Sequence, residues 1–149
     1  MDDFSAKPGT TNAYGLIGGE ANTVEPGKRP LSSMAPTIVF KDERPFLATG
    51  TPGGSRIITT ILQIIVNVID HRMNIATATA VPRVHHQWWP DELQVEMGLS
   101  PDTLRLLTNR GYTVKIRDAM GSVQSIMSVA GELLGASDSR TPGGLALGY

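Results

Sequence analysis

Between Arg56 and Asp70 the apolar positions recur with helical spacing: Ile57, Ile58, Ile61, Leu62, Ile65, Val68 and Ile69 share one side, while Arg56, Thr59, Thr60, Gln63, Asn67 and Asp70 share the other. The spacing predicts a helix that packs against a sheet. Upstream the period shortens to that of a strand. Thr37-Ile38-Val39-Phe40-Lys41 is a β-branched run, Asp42-Glu43-Arg44 a polar turn, and Pro45-Phe46-Leu47-Ala48-Thr49 a second apolar run, together a β-hairpin. Downstream, Tyr112–Ile116, Ser122–Val129 and Glu132–Ala136 read as strands, the last two joined at Ala130-Gly131.

Two further helices follow from punctuation more than from periodicity. Asn74–Ala80 forms a short one that must stop before Pro82, because a residue preceding proline is driven out of the α region. Ser100-Pro101-Asp102 opens another: Ser100 caps, Pro101 suits the first helical position, Gly111 ends the run, and Leu104 and Leu107 point inward. Residues 1–36 keep neither period and carry Gly and Pro at short intervals, which reads as a long ordered loop with Tyr14, Leu16, Ile17 and Leu31 as its anchors. The tail from Ser137 to Tyr149 is polar and glycine-rich. Hairpins without regular strand-helix-strand alternation give an α+β class, antiparallel sheet with helices layered on it. The chain is read as one domain over 1–149, with a loop region at 1–36 and a sheet and helix layer at 37–149.

Composition narrows the function. A formal net charge of -1, with Lys and Arg scattered, lacks the basic excess a phosphate-tracking surface needs, so no nucleic-acid partner is expected. The absence of cysteine removes thiolate chemistry and disulfides and leaves the redox compartment open. The acidic start Met1-Asp2-Asp3 does not read as a targeting segment, and Ile57–Ile69 is too short and too polar to span a bilayer, so no membrane insertion is expected.

The local chemistry centres on Gly50-Thr51-Pro52-Gly53-Gly54-Ser55, which runs straight into the predicted helix. Glycines let backbone N–H groups approach a ligand, and a helix start adds orphan donors, so Gly53 and Gly54 are candidates for an anion or oxyanion site. The plainer reading is a tight turn before a cap at Ser55. No Walker lysine follows, so a nucleotide loop is excluded. Thr141-Pro142-Gly143-Gly144 repeats the glycine pair with no helix after it and reads as a turn. Ser32 and Ser33, held between Pro30 and Pro36, offer hydroxyls to a carboxylate or simply cap a loop. Asp2 and Asp3 offer a carboxylate to an ammonium group or form a solvated acidic end. His85 and His86 are adjacent and diverge, and His71 has no partner at i+4, so neither a metal site nor a cofactor is expected. Trp88-Trp89-Pro90-Asp91-Glu92 reads as core packing followed by a polar turn.

Taken in order, Met1-Asp2-Asp3-Phe4-Ser5 with Pro8-Gly9, Tyr14-Gly15-Leu16, Lys28-Arg29-Pro30-Leu31-Ser32-Ser33-Met34, Pro52-Gly53-Gly54-Ser55-Arg56-Ile57, Pro82-Arg83 with His85-His86-Gln87-Trp88, and Gly135-Ala136-Ser137-Asp138 with Arg140 resemble the γ-glutamyltranspeptidase (glutathione hydrolase) small subunit over nearly the whole chain. The resemblance implies an N-terminal nucleophile hydrolase fold, an αββα sandwich, in which a threonine exposed by autocatalytic cleavage attacks the γ-glutamyl carbonyl of glutathione or a similar donor. It implies that Asp3 holds the donor's α-ammonium, Ser32 and Ser33 its α-carboxylate, and the Gly53 and Gly54 amides the oxyanion.

The same resemblance implies that the nucleophile, the leading strands of the small subunit and the large subunit lie outside this chain. The chain is then a gene fragment or truncated paralogue, inactive alone. An alternative is a binding or assembly module derived from that fold. A sheet without its leading strands leaves an open edge and an apolar face, so a homo-oligomer is expected. Family resemblance implies a periplasmic or extracellular location.

Overall fold

The computed structural model describes residues 3–148. Its larger layer is a four-stranded antiparallel sheet in the order β1-β2-β6-β7, built from β1 (Thr37–Lys41), β2 (Arg44–Gly50), β6 (Gln124–Val129) and β7 (Glu132–Ser137). Both hairpins turn through paired left-handed residues, Asp42 and Glu43 at φ 49° and 59°, and Ala130 and Gly131 at φ 52° and 88°. Two consecutive positive φ values match the right-handed twist of the flanking strands, and polar or glycine residues tolerate them best. The β1–β2 register slips between Val39 and Phe40, where the partner is Pro45, which has no N–H to give to the ladder.

Helix α1 (Arg56–Ile69) lies on this sheet. Ile57, Ile61, Ile64 and Val68 are buried, the last two in one core with Leu47, Met127 and Ala136 from the sheet and Val123 just before β6. Helix α2 (Ile75–Ala80) adds Ile75 and Ala78 to that core, and Asn74 caps it by accepting from the Thr77 N–H at 2.8 Å. The predicted single apolar face of α1 divides in two: Ile58, Leu62 and Ile69 remain 58, 57 and 47% exposed. A flat sheet covers only part of an apolar arc this broad.

The polar side of α1 meets a second sheet that the hydrophobic pattern does not reveal. It comprises β3 (Val84–His85), β4 (Leu93–Glu96) and β5 (Val114–Arg117), antiparallel between β3 and β4 and parallel between β4 and β5. The parallel pair departs from the all-antiparallel expectation, and the crossover that permits it contains helix α3 (Pro101–Asn109). β4 buries Gln94 and Glu96 alongside Val95, so burial and polarity are decoupled there and no strand-like alternation shows. Gln63 fastens the two layers: its amide donates to the Val84 carbonyl at 2.8 Å and accepts from the Val84 N–H at 2.9 Å.

α3 is capped by Ser100 as its sequence requires, the hydroxyl accepting from Thr103 N–H at 3.1 Å. Leu104 and Leu107 are only half-buried and no α3 residue is fully buried, so the expected inward face is a shallow one. Trp88 and Trp89 are not core residues. They sit 80 and 53% exposed in the turn between β3 and β4, where Trp88 takes a left-handed φ of 73° that carries the chain outward.

Candidate functional site

The turn between β2 and α1 is shaped by close neighbours on both sides. Gly53 and Gly54 have φ values of 142° and 58°, which L-residues with side chains rarely adopt. A side chain at Gly54 would run into the Tyr14 ring, and one at Gly53 would sit 3.7 Å from the Gly121 Cα. Gly121 in turn is locked against Thr51, whose hydroxyl accepts from the Ser122 N–H at 2.8 Å. Among the described residues neither the Gly53 nor the Gly54 N–H donates a hydrogen bond. Ser55 is not a cap: its backbone is already helical, and its hydroxyl donates instead to Gln87 Oε1 at 2.7 Å.

The N-terminal loop is ordered by two asparagines that sequence pattern alone does not single out. Asn12 and Asn22 both donate their side-chain N–H to the Asp3 carbonyl, at 3.1 and 2.7 Å. The other end of each amide accepts from the loop: Asn12 from the N–H groups of Tyr14 and Leu16, both at 3.0 Å, and Asn22 from that of Leu31 at 2.9 Å. Asn12 thus ties Asp3 to the Tyr14 turn, and Asn22 ties it to the residue before Ser32. An asparagine followed by a glycine-rich turn is a signal for such a tie, but its partner across 19 residues is not readable.

These ties bring the candidate residues together. Asp3, Ser32, Ser33, Gly53 and Gly54 line one hollow of about 530 Å³, with Tyr14 and Arg29 also on its wall. The Asp3 carboxylate and the Ser33 hydroxyl make no hydrogen bond among the described residues, and the Ser32 hydroxyl accepts only from Met34 N–H, at 3.2 Å. A carboxylate, two hydroxyls and two unpaired amides therefore face one space with their bonding capacity largely unspent. Asp2 lies outside the described residues.

The histidines are separated. His71 is exposed, and His86 pairs with Asp91 at 3.0 Å on the surface. His85 is buried between Thr59 Oγ1 at 2.8 Å and Gln87 Oε1 at 3.0 Å. Gln87 Oε1 accepts, so His85 carries its proton on Nε2, and burial pushes its pKa down against the help of Gln87. No group of three or more potential metal ligands occurs among the described residues. The second glycine pair at Gly143-Gly144 closes a turn, Gly144 N–H donating to Thr141 O at 3.1 Å.

Beneath the Gly121 loop lies a buried cluster of four charges. Arg83 donates to Asp138 Oδ2 at 2.6 Å and to the carbonyls of Met120 and Thr79 at 2.6 and 2.8 Å. Arg140 bridges Glu96 and Asp138, at 2.5 and 3.0 Å, and also reaches the last carbonyls of α2. The carboxylates answer with backbone partners: Glu96 accepts from the N–H groups of Arg83 and Met120, Asp138 from those of Val123 and Arg140. Burial alone raises a carboxyl pKa, but these donors hold both Asp138 and Glu96 below the usual carboxylate range. Burial likewise lowers the Arg83 pKa, against its hydrogen bond to Asp138.

A layered α+β scaffold carrying this hollow is a piece of an N-terminal nucleophile hydrolase, the αββα class shared by the structures it superposes on. The chain belongs to the gamma-glutamyltranspeptidase family, whose model matches residues 1–148. It is 63% identical over 150 residues to the glutathione hydrolase proenzyme of Escherichia coli (strain K12), covering 100% of this chain and 26% of that protein. Among solved structures it matches an acivicin-inhibited gamma-glutamyltranspeptidase at TM-score 0.91 and 51% identity, over 95% of this chain and 78% of that one. The Pseudomonas nitroreducens gamma-glutamyltranspeptidase complexed with L-DON gives TM-score 0.91 and 43% identity, over 99% and 79%. The chain spans about a quarter of the length of the curated relatives it matches.

Proposed function

We propose that this chain supplies the donor-binding and oxyanion side of an enzyme that transfers or hydrolyses γ-glutamyl groups, with glutathione and other γ-glutamyl compounds as donors. The observation that carries the reading is the single hollow shared by Asp3, Ser32, Ser33, Gly53 and Gly54. A γ-glutamyl donor presents an α-ammonium, an α-carboxylate and a carbonyl that becomes an oxyanion. The hollow offers a carboxylate for the first, two hydroxyls for the second and two amides for the third. Amides that are already free and fixed stabilise developing charge without reorganising when it forms.

The attacking threonine of the family's reaction is assigned outside residues 1–149, as is the large subunit. By this reading the isolated chain binds weakly and does not turn over, because oxyanion and binding contributions without a nucleophile leave only residual catalysis. Calorimetry with glutamate should show weak uptake by the chain that Asp3→Asn abolishes. Turnover of a γ-glutamyl anilide by the isolated chain, blocked by Ser33→Ala, would overturn the assignment of the nucleophile elsewhere.

One feature favours assembly when the chain is alone. The sheet face opposite α1 exposes Ile38, Phe40, Ile126 and Leu133, an apolar surface that a sandwich normally covers with its second sheet. The isolated chain is therefore expected to self-associate, and light scattering across a concentration series that shows a monodisperse monomer would refute this.

A further inference from the structure

We infer that Thr51 is a positioning residue for the candidate oxyanion site, its hydroxyl setting the direction of the Gly53 N–H, an inference that rests on the functional reading above. Thr51 does not itself line the hollow. A trans peptide is planar with its C=O and N–H antiparallel, so whatever holds the carbonyl of residue 52 also aims the amide of residue 53. The Pro52–Gly53 bond is trans, and the Thr51 hydroxyl donates to the Pro52 carbonyl at 2.8 Å. The companion amide needs no side chain. The Gly53 carbonyl, which belongs to the same peptide unit as the Gly54 N–H, accepts from the Arg56 N–H at 3.2 Å in the first turn of α1. Of the two amides proposed to meet the oxyanion, one is aimed by the helix backbone and the other by a single hydroxyl.

That hydroxyl is held from its far side. It accepts from the Ser122 N–H at 2.8 Å, and because a carbonyl only accepts and an N–H only donates, these two partners leave its proton one direction. Ser122 lies in a segment that the buried cluster grips by the main chain: Met120 N–H donates to Glu96 at 2.5 Å, Met120 O accepts from Arg83 at 2.6 Å, and Val123 N–H donates to Asp138 at 2.8 Å. Within that segment Gly121 stands at φ 76°, and a Cβ there would lie 2.6 Å from Thr51 Oγ1, so the bare residue is what admits the hydroxyl. The cluster thus reaches the reacting end of the hollow through one loop and one hydroxyl, and it serves the aim of an amide as well as the stability of the fold.

The test uses the full-length protein in which this segment occurs, with Thr51→Val, which keeps the branched shape and removes the hydroxyl, and Thr51→Ser, which keeps the hydroxyl. Formation and breakdown of an acyl-enzyme place charge on the same oxygen, so a misdirected amide slows both steps alike. Thr51→Val should therefore lower kcat for a γ-glutamyl anilide roughly tenfold to a hundredfold with KM held within about twofold, and Thr51→Ser should stay within about threefold of the unsubstituted protein. A packing role would be met by valine and not by serine, the opposite order. Loss of kcat in both variants, a raised KM with kcat kept, or unaltered kinetics in Thr51→Val would each overturn the inference. Crystal structures of the variants read the aim directly: the Pro52–Gly53 peptide should rotate in Thr51→Val and stay in Thr51→Ser, and an unrotated peptide in Thr51→Val also overturns it. Rotation in a protein whose unsubstituted form does not turn over the anilide would support the anchoring and sink the functional reading, and turnover with an unrotated peptide would do the reverse.

Discussion

The cluster around Arg83 and the hollow at Gly53 treat polar groups in opposite ways, although only the Gly121 loop separates them. In the cluster, Arg83, the partly buried Arg140 and two buried carboxylates are answered by each other and by backbone groups of Thr79, Arg83, Met120, Val123 and Arg140, with only the Arg83 Nε–H left without a partner among the described residues. In the hollow, a carboxylate, a hydroxyl and two amides have no partner among the described residues. Burial makes an unpaired charge costly, so the first arrangement must be closed within the chain; solvent access lets the second wait for a ligand. Rigidity is thus concentrated one loop away from where binding capacity is held open.

The contrast breaks most severely at Arg83. Arg83→Ala leaves Asp138 and Glu96 short of a counter-charge in the interior and should cost about 3–5 kcal/mol, read as the shift in a urea unfolding midpoint. Acid attacks the same cluster from the other side. Asp138 and Glu96 titrate lower in the folded chain than in the unfolded one, so their contribution is complete above about pH 5 and is lost as pH falls through the folded values. His85, whose pKa is lowered by burial, acts with the same sign and begins earlier: below about pH 6.5 the unfolded chain takes up a proton that the folded one refuses. Thermal melts should therefore decline in two stages on acidification: a melting temperature that is flat from about pH 7 to pH 5 would contradict the description of His85, and one that stays flat on further acidification to about pH 2 would contradict that of the cluster.

On the hollow side the effects shrink and change character. Gly54→Ala puts a side chain into the Tyr14 ring at a left-handed φ and should cost about 1–3 kcal/mol while displacing the Tyr14 turn, detectable by near-ultraviolet circular dichroism. Asn22→Ala severs the tie between Asp3 and Leu31 and should cost about 1 kcal/mol in stability, with a loss of glutamate affinity larger than that cost because carboxylate and hydroxyls are no longer held in register. Ser33→Ala should leave stability within about 0.5 kcal/mol yet weaken glutamate binding roughly tenfold or more, the worth of a hydrogen bond to a charged group. Equal stability costs at Arg83 and Ser33 would erase the distinction between the two regions.

The same contrast governs what is legible in the chain of residues. The hairpins, α1, α2 and α3 announce themselves through period, caps and turn residues, and the Gly53-Gly54 turn through its composition. The pieces of the candidate hollow are readable separately, and in the sequence only the family resemblance joins them. What stayed hidden depends on partners distant in sequence. β4 buries Gln94 and Glu96 because Arg56 and Arg140 reach them across 38 and 44 residues, so its hydrophobic pattern is blank. Asn12 and Asn22 look like ordinary loop residues until their amides meet at Asp3. Trp88 and Trp89 mislead in the opposite sense, since large aromatic size suggests burial while both stay exposed in the turn between β3 and β4.

The pairing of Gln63 with Val84 has a consequence for solubility. β3 is two residues long, and one side of it would otherwise offer a bare N–H and C=O to any passing extended peptide. The glutamine amide presents the same donor and acceptor as a peptide unit, so α1 acts as a counterfeit strand and blocks that edge. A single side chain thereby blocks templated growth at the β3 edge of the smaller sheet, and Gln63→Leu should make the chain more prone to fibril formation even where its melting temperature hardly moves.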